Sequence, residues 1–194
     1  MRRILPYIIV ALTCCVFVTG TVIADSDAPK DEKKKTSLGK YITAGKAYEQ
    51  WKASPDKIFI VDIRTPQEYV FVGHPEMAVN IPFELWTFQM DPASKDALLE
   101  QNPQFVADMQ KRFKPEDTIY LVCRSGGRSA RAANELAKAG FTNVYNTVDG
   151  FEGDKIKDPN NPNDGKRMMN GWRNSSAPWT YNLDLKLVPY MTSK

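Results

Sequence analysis

The chain reads as an α/β domain, a parallel sheet with helices on both faces. Three observations predict this. Two short apolar runs, Ile58-Phe59-Ile60-Val61 and Thr118-Ile119-Tyr120-Leu121-Val122, have the near-continuous pattern of strands buried on both faces. Helical stretches fall between the strand-like ones, and that alternation produces a parallel sheet. Polar and reactive residues gather just beyond the apolar runs: Asp62 and Arg64 after the first, Cys123 after the second. Open sheets of this class bind ligands beyond the carboxyl ends of their strands.

Taken in order, the chain opens with the basic triplet Met1-Arg2-Arg3, then an uncharged stretch from Ile4 to Ile23 and a small-residue site at Val22-Ile23-Ala24. This is the layout of a secretory signal over residues 1–24, so the mature protein is expected in the periplasm or outside the cell. An uncleaved anchor is the alternative, since roughly 20 apolar residues can span a bilayer. Only then would the protein meet a membrane. Pro6, Thr13, Thr19 and Gly20 dilute the apolar run, and Thr13-Cys14 is a poor lipoprotein site. Cleavage removes Cys14 and Cys15 and takes the formal charge from +3 to +1, which argues against a nucleic-acid partner.

Residues 25–40 are charged and nearly free of apolar side chains, and read as a flexible linker. One domain follows over 41–181. Thr43 is placed to cap a helix that carries Ala47, Tyr48 and Trp51 on one face. Ile58 to Val61 is the first strand. Thr65-Pro66-Gln67-Glu68 has the cap, the early proline and the third-position acid of a helix start. Ala78 to Ile81 reads as a short strand, Phe105 to Phe113 as an amphipathic helix and Thr118 to Val122 as a buried strand. A helix from Ala130 to Ala139 stops at Gly140, and Asn143 to Val148 is a further strand. Residues 182–194 read as a tail.

Cys123 is then the only thiol of the mature chain. Exported proteins normally use cysteines in pairs, so a lone one suggests chemistry. It opens Cys123-Arg124-Ser125-Gly126-Gly127-Arg128-Ser129, at a strand-to-helix junction. Helix N-termini and cations favour the thiolate form of a nearby cysteine. Gly126 and Gly127 free the backbone to turn its N–H groups inward. Arg124 and Arg128 bring positive charge, and Ser125 and Ser129 bring hydroxyl donors. Such a cradle suits a thiolate, a persulfide or an incoming anion.

Phosphatases and some arsenate reductases carry C-x5-R at such a loop, but here Arg128 comes one position early and Ser129 stands where their arginine should be. The six residues from Cys123 to Arg128 instead resemble the active loop of the rhodanese family of sulfurtransferases. Val61-Asp62-Ile63-Arg64-Thr65-Pro66-Gln67-Glu68-Tyr69 is similar to that family's D-x-R-x-x-x-E-[FY] segment. Gly73-His74 and Asn80-Ile81-Pro82 are similar to parts of its G-H-I-x-G-A-x-N-I-P, although Pro75, Glu76 and Val79 depart from the pattern. Phe141-Thr142-Asn143-Val144-Tyr145, Asp149-Gly150-Phe151, Gly171-Trp172 and Pro178 resemble later family landmarks. Ser176-Ala177 stands where the family has Gly-Leu.

The resemblance covers about Ile42 to Trp179 and implies a single rhodanese-like domain. It implies that Cys123 takes sulfur from an anionic donor such as thiosulfate and passes it from a persulfide to cyanide or a thiol. A protein thiol would serve equally as the acceptor. The alternative is a carrier that loads sulfur once and delivers it to a partner protein. The resemblance also implies that Asp62 and Arg64 support the active loop by hydrogen bonds, and that His74 is structural.

Residues 153–170 look like an insertion. Asp158 to Gly165 fails the calcium-loop spacing at every offset, so a polar turn-rich loop is expected. Trp172, Trp179 and Tyr181 are expected to pack in the core. One cysteine and one histidine leave no metal-ligand cluster, and no cofactor is called for.

Overall fold

The computed structural model describes residues 27–192. The expected signal, residues 1–24, lies outside them. The chain order is β1 (Tyr41–Ile42), α1 (Ala44–Ala53), β2 (Ile58–Asp62), α2 (Pro66–Val72), β3 (His74–Pro75), β4 (Val79–Asn80) and β5 (Glu84–Met90). It continues with β6 (Ala97–Gln101), α3 (Phe105–Arg112), β7 (Thr118–Val122), α4 (Gly127–Lys138), β8 (Val144–Thr147), β9 (Trp179–Thr180) and α5 (Pro189–Thr192).

Five strands form the parallel sheet, in the order β1-β8-β7-β2-β4. Side chains alternate across it, and this period divides the core in two. Val61, Ile119, Leu121 and Cys123 face the layer of α3 and α4, with Phe105, Met109, Ala133 and Leu136. Ile60, Tyr120 and Val122 face the opposite layer, with Ala44, Ala47, Phe151 and Trp172. Full burial of each such aliphatic or aromatic side chain contributes about 1.5–3 kcal/mol. Because both layers are apolar, the strands show no polar face, and so the sequence runs are unbroken.

The central register places Asp62 beside Val122 and Leu121 beside Asn146. The carboxyl ends of β2 and β7 are therefore level, and Cys123 emerges beside the β2 end. The start of α2 has the complete reciprocal cap: the Thr65 hydroxyl accepts from Glu68 N and the Glu68 carboxylate accepts from Thr65 N.

Several expectations are corrected. The hairpin β5–β6 is additional to the sequence reading. The expected linker, from residue 27 to 40, is ordered against the domain. A 3-10 turn at Glu32–Lys34 lies on α4, Ser37 N donates to Asn134 Oδ1 and Asn146 Nδ2 donates to Lys34 O. Charged side chains of the segment tie it down, with Lys34 paired to Asp154 and Lys35 to Glu32. The expected tail also packs on the domain: Val188 is buried and Asn80 N donates to Leu187 O at the β4 edge. Trp172 is fully buried, as expected of a core residue, whereas Tyr181 is 57 % exposed.

Candidate active site

Cys123 lies at the carboxyl end of β7, directly before α4, and is buried and unpaired by any disulfide. Two donors approach its Sγ: Gly126 N at 3.1 Å and Ser129 Oγ at 3.2 Å. Gly126 is the residue before α4 and has φ +96°, a left-handed conformation that aims its N–H back at the sulfur. A Cβ there would fall 2.2 Å from Val148 O. Gly127, by contrast, is an ordinary first residue of the helix with open space around it. Of the two glycines the sequence offered, the turn requires only the first.

The second glycine that the loop needs is Gly150. Its φ is +61° and a Cβ would meet Cys123 O at 2.5 Å and Ser125 N at 2.6 Å. Phe151 N then donates to Cys123 O, and Glu152 N to Arg124 O. The turn after β8 therefore holds the base of the active loop. Asp149 anchors that turn in its own right, since its carboxylate accepts from Ala44 N and Gly171 N. Burial raises its pKa, against the pull of those backbone donors.

Asp62 and Arg64 do not hydrogen-bond the loop, which corrects the expectation. Both are fully buried and bond each other, with Arg64 Nη2 at 2.6 Å from Asp62 Oδ2 and 2.7 Å from Gly73 O. The Arg64 guanidinium lies over the Phe151 ring at 4.1 Å. Their support thus reaches Cys123 through Phe151, whose ring lies under Arg64 and whose N–H donates to Cys123 O. His74 is stacked on Tyr69 and its ring nitrogens face Tyr69 O and Asn182 O. Burial lowers its pKa, partly offset by those carbonyls.

The two loop arginines part company. Arg128 forks onto Glu68, with Nη1 at 2.7 Å from Oε2 and Nη2 on Oε1. Burial disfavours the Glu68 carboxylate, but the Arg128 hydrogen bonds and charge, with Arg64 and the Thr65 amide, hold its pKa down at about 2. Arg124 is exposed and has no carboxylate at ion-pair distance among the described residues. Over the thiol is a cavity of about 360 Å³ lined by Lys33, Cys123, Arg124, Ser125, Gly127, Arg128 and Arg131. Ser125 lines it without reaching the sulfur through any hydrogen bond the structure records.

Three contributors were missed in the sequence. Lys33 comes from the segment taken for a linker, and nothing local marks it. Arg131 sits one helical turn beyond Gly127 and pairs with Glu84 at 2.7 Å. Asn146 lies in β8, where its Oδ1 accepts from Ser129 Oγ at 2.6 Å while its Nδ2 donates to Lys34 O. Its signal was available: a buried asparagine in the otherwise compact strand Val144-Tyr145-Asn146-Thr147 needs polar partners.

Comparison with known proteins agrees with this geometry. Residues 44–157 match the rhodanese-like domain, and the chain belongs to that family. An uncharacterised protein of Rickettsia conorii is 33 % identical over 140 residues, covering 72 % of this chain and 96 % of its own. Thiosulfate sulfurtransferase 16, chloroplastic, of Arabidopsis thaliana is 35 % identical over 91 residues, covering 47 % of this chain and 68 % of its own. Among solved structures, Rv0390 from M. tuberculosis aligns with a TM-score of 0.56 at 30 % identity, covering 73 % of this chain and 96 % of that one. The family and its sulfurtransferase members support sulfur transfer as the general chemistry.

Proposed function

We propose that this protein is an exported sulfurtransferase that moves sulfane sulfur from an anionic donor such as thiosulfate to cyanide or a thiol, through a persulfide on Cys123. The observation that carries this reading is the sulfur itself. It is buried at the start of α4, receives the Gly126 N–H and the Ser129 hydroxyl, and opens into a cavity walled by cations. In the first step the Cys123 thiolate attacks the outer sulfur of the donor. The donor's S–S bond breaks and sulfite leaves with its electron pair. In the second step the acceptor attacks the outer sulfur of the persulfide, and Cys123 departs as thiolate. No net electron passes to the protein in the cycle. Covalent catalysis of this kind splits one difficult transfer into two easier ones. Arg124 and Lys33, which pair with no carboxylate among the described residues, supply the charge that meets the donor, and the loop N–H steadies the anion on sulfur.

The test is mass spectrometry with thiosulfate. The native protein should gain about one sulfur mass on Cys123, and cyanide should remove it. Cys123→Ser should lose both the gain and turnover while keeping its melting temperature. Turnover in that variant would end the proposal. A protein that loads once and stalls with every small acceptor would be a carrier that hands its sulfur to a partner protein.

A further inference from the structure

Arg124 lines three basins, one of which faces the acids Glu68, Glu84 and Asp96. Of the two rich in cations, one is the cavity over Cys123. The other, about 670 Å³ and more open, is lined by Arg124, Glu152, Lys166, Arg167, Met168, Arg173 and Asn174. Four of these carry positive charge and one carries negative. Three of the cations, Lys166, Arg167 and Arg173, come from the insertion and the turn after it, outside the loop that makes the thiol cradle. Among the described residues, Arg173 has no carboxylate at ion-pair distance. Arg167 is fixed by donating to Gly153 O at 2.6 Å. Burial lowers its pKa, and the facing Arg124 guanidinium lowers it further, while Glu152 and Asp154 oppose the change. Like charges are thus held together by the fold beside the thiol, an arrangement that an anion would relieve.

A compact dianion such as thiosulfate needs only the first cavity. A ligand that uses both basins must be longer, with its sulfur at one end and negative charge at the other. On the reading that Cys123 carries a persulfide, we propose that the second basin is an acceptor subsite for low-molecular-weight thiols bearing two or more carboxylates. The acceptor thiol loses its proton to water, and its sulfur attacks the outer sulfur of the persulfide. An S–S bond forms there, the persulfide S–S bond breaks, and Cys123 leaves as thiolate. The carboxylates meanwhile rest against Arg124, Lys166 and Arg173, with the exposed Met168 beside the methylene groups.

The test uses two peptides of equal size, Glu-Cys-Glu and its neutral counterpart Gln-Cys-Gln, as acceptors with thiosulfate as donor. Arg167 is left alone because its bond to Gly153 O shapes the loop; the variant is Lys166→Ala combined with Arg173→Ala. In the native protein kcat/KM should favour the charged peptide by about tenfold or more, and the variant should erase that preference, as expected for lost charge-assisted hydrogen bonds. An unchanged ratio would overturn the subsite. A second arm does not need turnover: S-methylated forms of both peptides compete with iodoacetamide for access to Cys123. The charged form should protect at lower concentration in the native protein only. Equal protection by both forms overturns the subsite. Absence of turnover even with cyanide would refute the sulfurtransferase reading, and the protection arm would still decide the subsite.

Discussion

At the scale of single residues, the site turns on where one proton goes. The Ser129 hydroxyl has a single hydrogen and two acceptors, Cys123 Sγ at 3.2 Å and Asn146 Oδ1 at 2.6 Å. The amide of Asn146 cannot turn over, because Lys34 O accepts and needs the Nδ2 donor. With a neutral thiol, the hydroxyl bonds Asn146; with a thiolate, it turns to the sulfur. Two variants should therefore differ in sign. Ser129→Ala removes a hydrogen bond to a charged atom, worth roughly 2 kcal/mol, and should slow sulfur transfer and Cys123 alkylation at neutral pH about 30-fold. Asn146→Ala frees the proton for sulfur and should leave alkylation equally fast or faster, although the protein loses stability. Alkylation rates of both variants at one pH check this, and a comparable slowing in both would show that Asn146 acts only by packing.

At the scale of elements, what was legible in the sequence is what is local. The β2 and β7 runs and the capped start of α2 are set by neighbours a few residues apart, and they form as read. Hairpin β5–β6 was not legible, because its outer side chains, Phe88 and Met90 among them, are exposed and carry no clean alternation. The thiol, its glycine turn and Ser129 could be found from one heptapeptide. Lys33, Asn146 and Gly150 lie outside it and reach the loop across long stretches of chain, as the Asn146 contact to Lys34 joins residues 112 apart; of the three, only Lys33 carries no local mark. The loop also shows why the two adjacent glycines are unequal. Gly126→Ala forces a left-handed conformation on alanine and drives its Cβ onto Val148 O, which should cost about 1–3 kcal/mol and most of the activity. Gly127→Ala adds a methyl group to open space in a helical residue, and the melting temperature should hold or rise. Equal losses of stability in the two would contradict the assignment of the turn to Gly126.

At the scale of the molecule, the site is held from several directions. The ordered segment before β1 closes one side, the turn after β8 supports the floor, and an ion pair ties α2 to α4. That pair, Glu68 with Arg128, sets an expectation for acid stability. The Glu68 pKa falls from 4.5 to about 2 on folding. A carboxylate with a depressed folded value contributes stability that is fully present above its unfolded value and is lost as pH falls through the folded one. The window is therefore pH 4.5 down to 2, and the contribution is roughly 3 kcal/mol. Glu68→Gln should be less stable than the native protein at pH 7, because Arg128 stays in place without its counter-charge. Titrated downward, the native protein should lose stability across that window while the variant changes less, so the gap between their melting temperatures should narrow toward pH 2. Arg128→Met together with Glu68→Met removes both charges and should recover part of the loss seen in Glu68→Gln. A gap that stayed constant from pH 7 to pH 2 would mean that the pair does not govern acid unfolding, and that α2 and α4 are joined by packing alone.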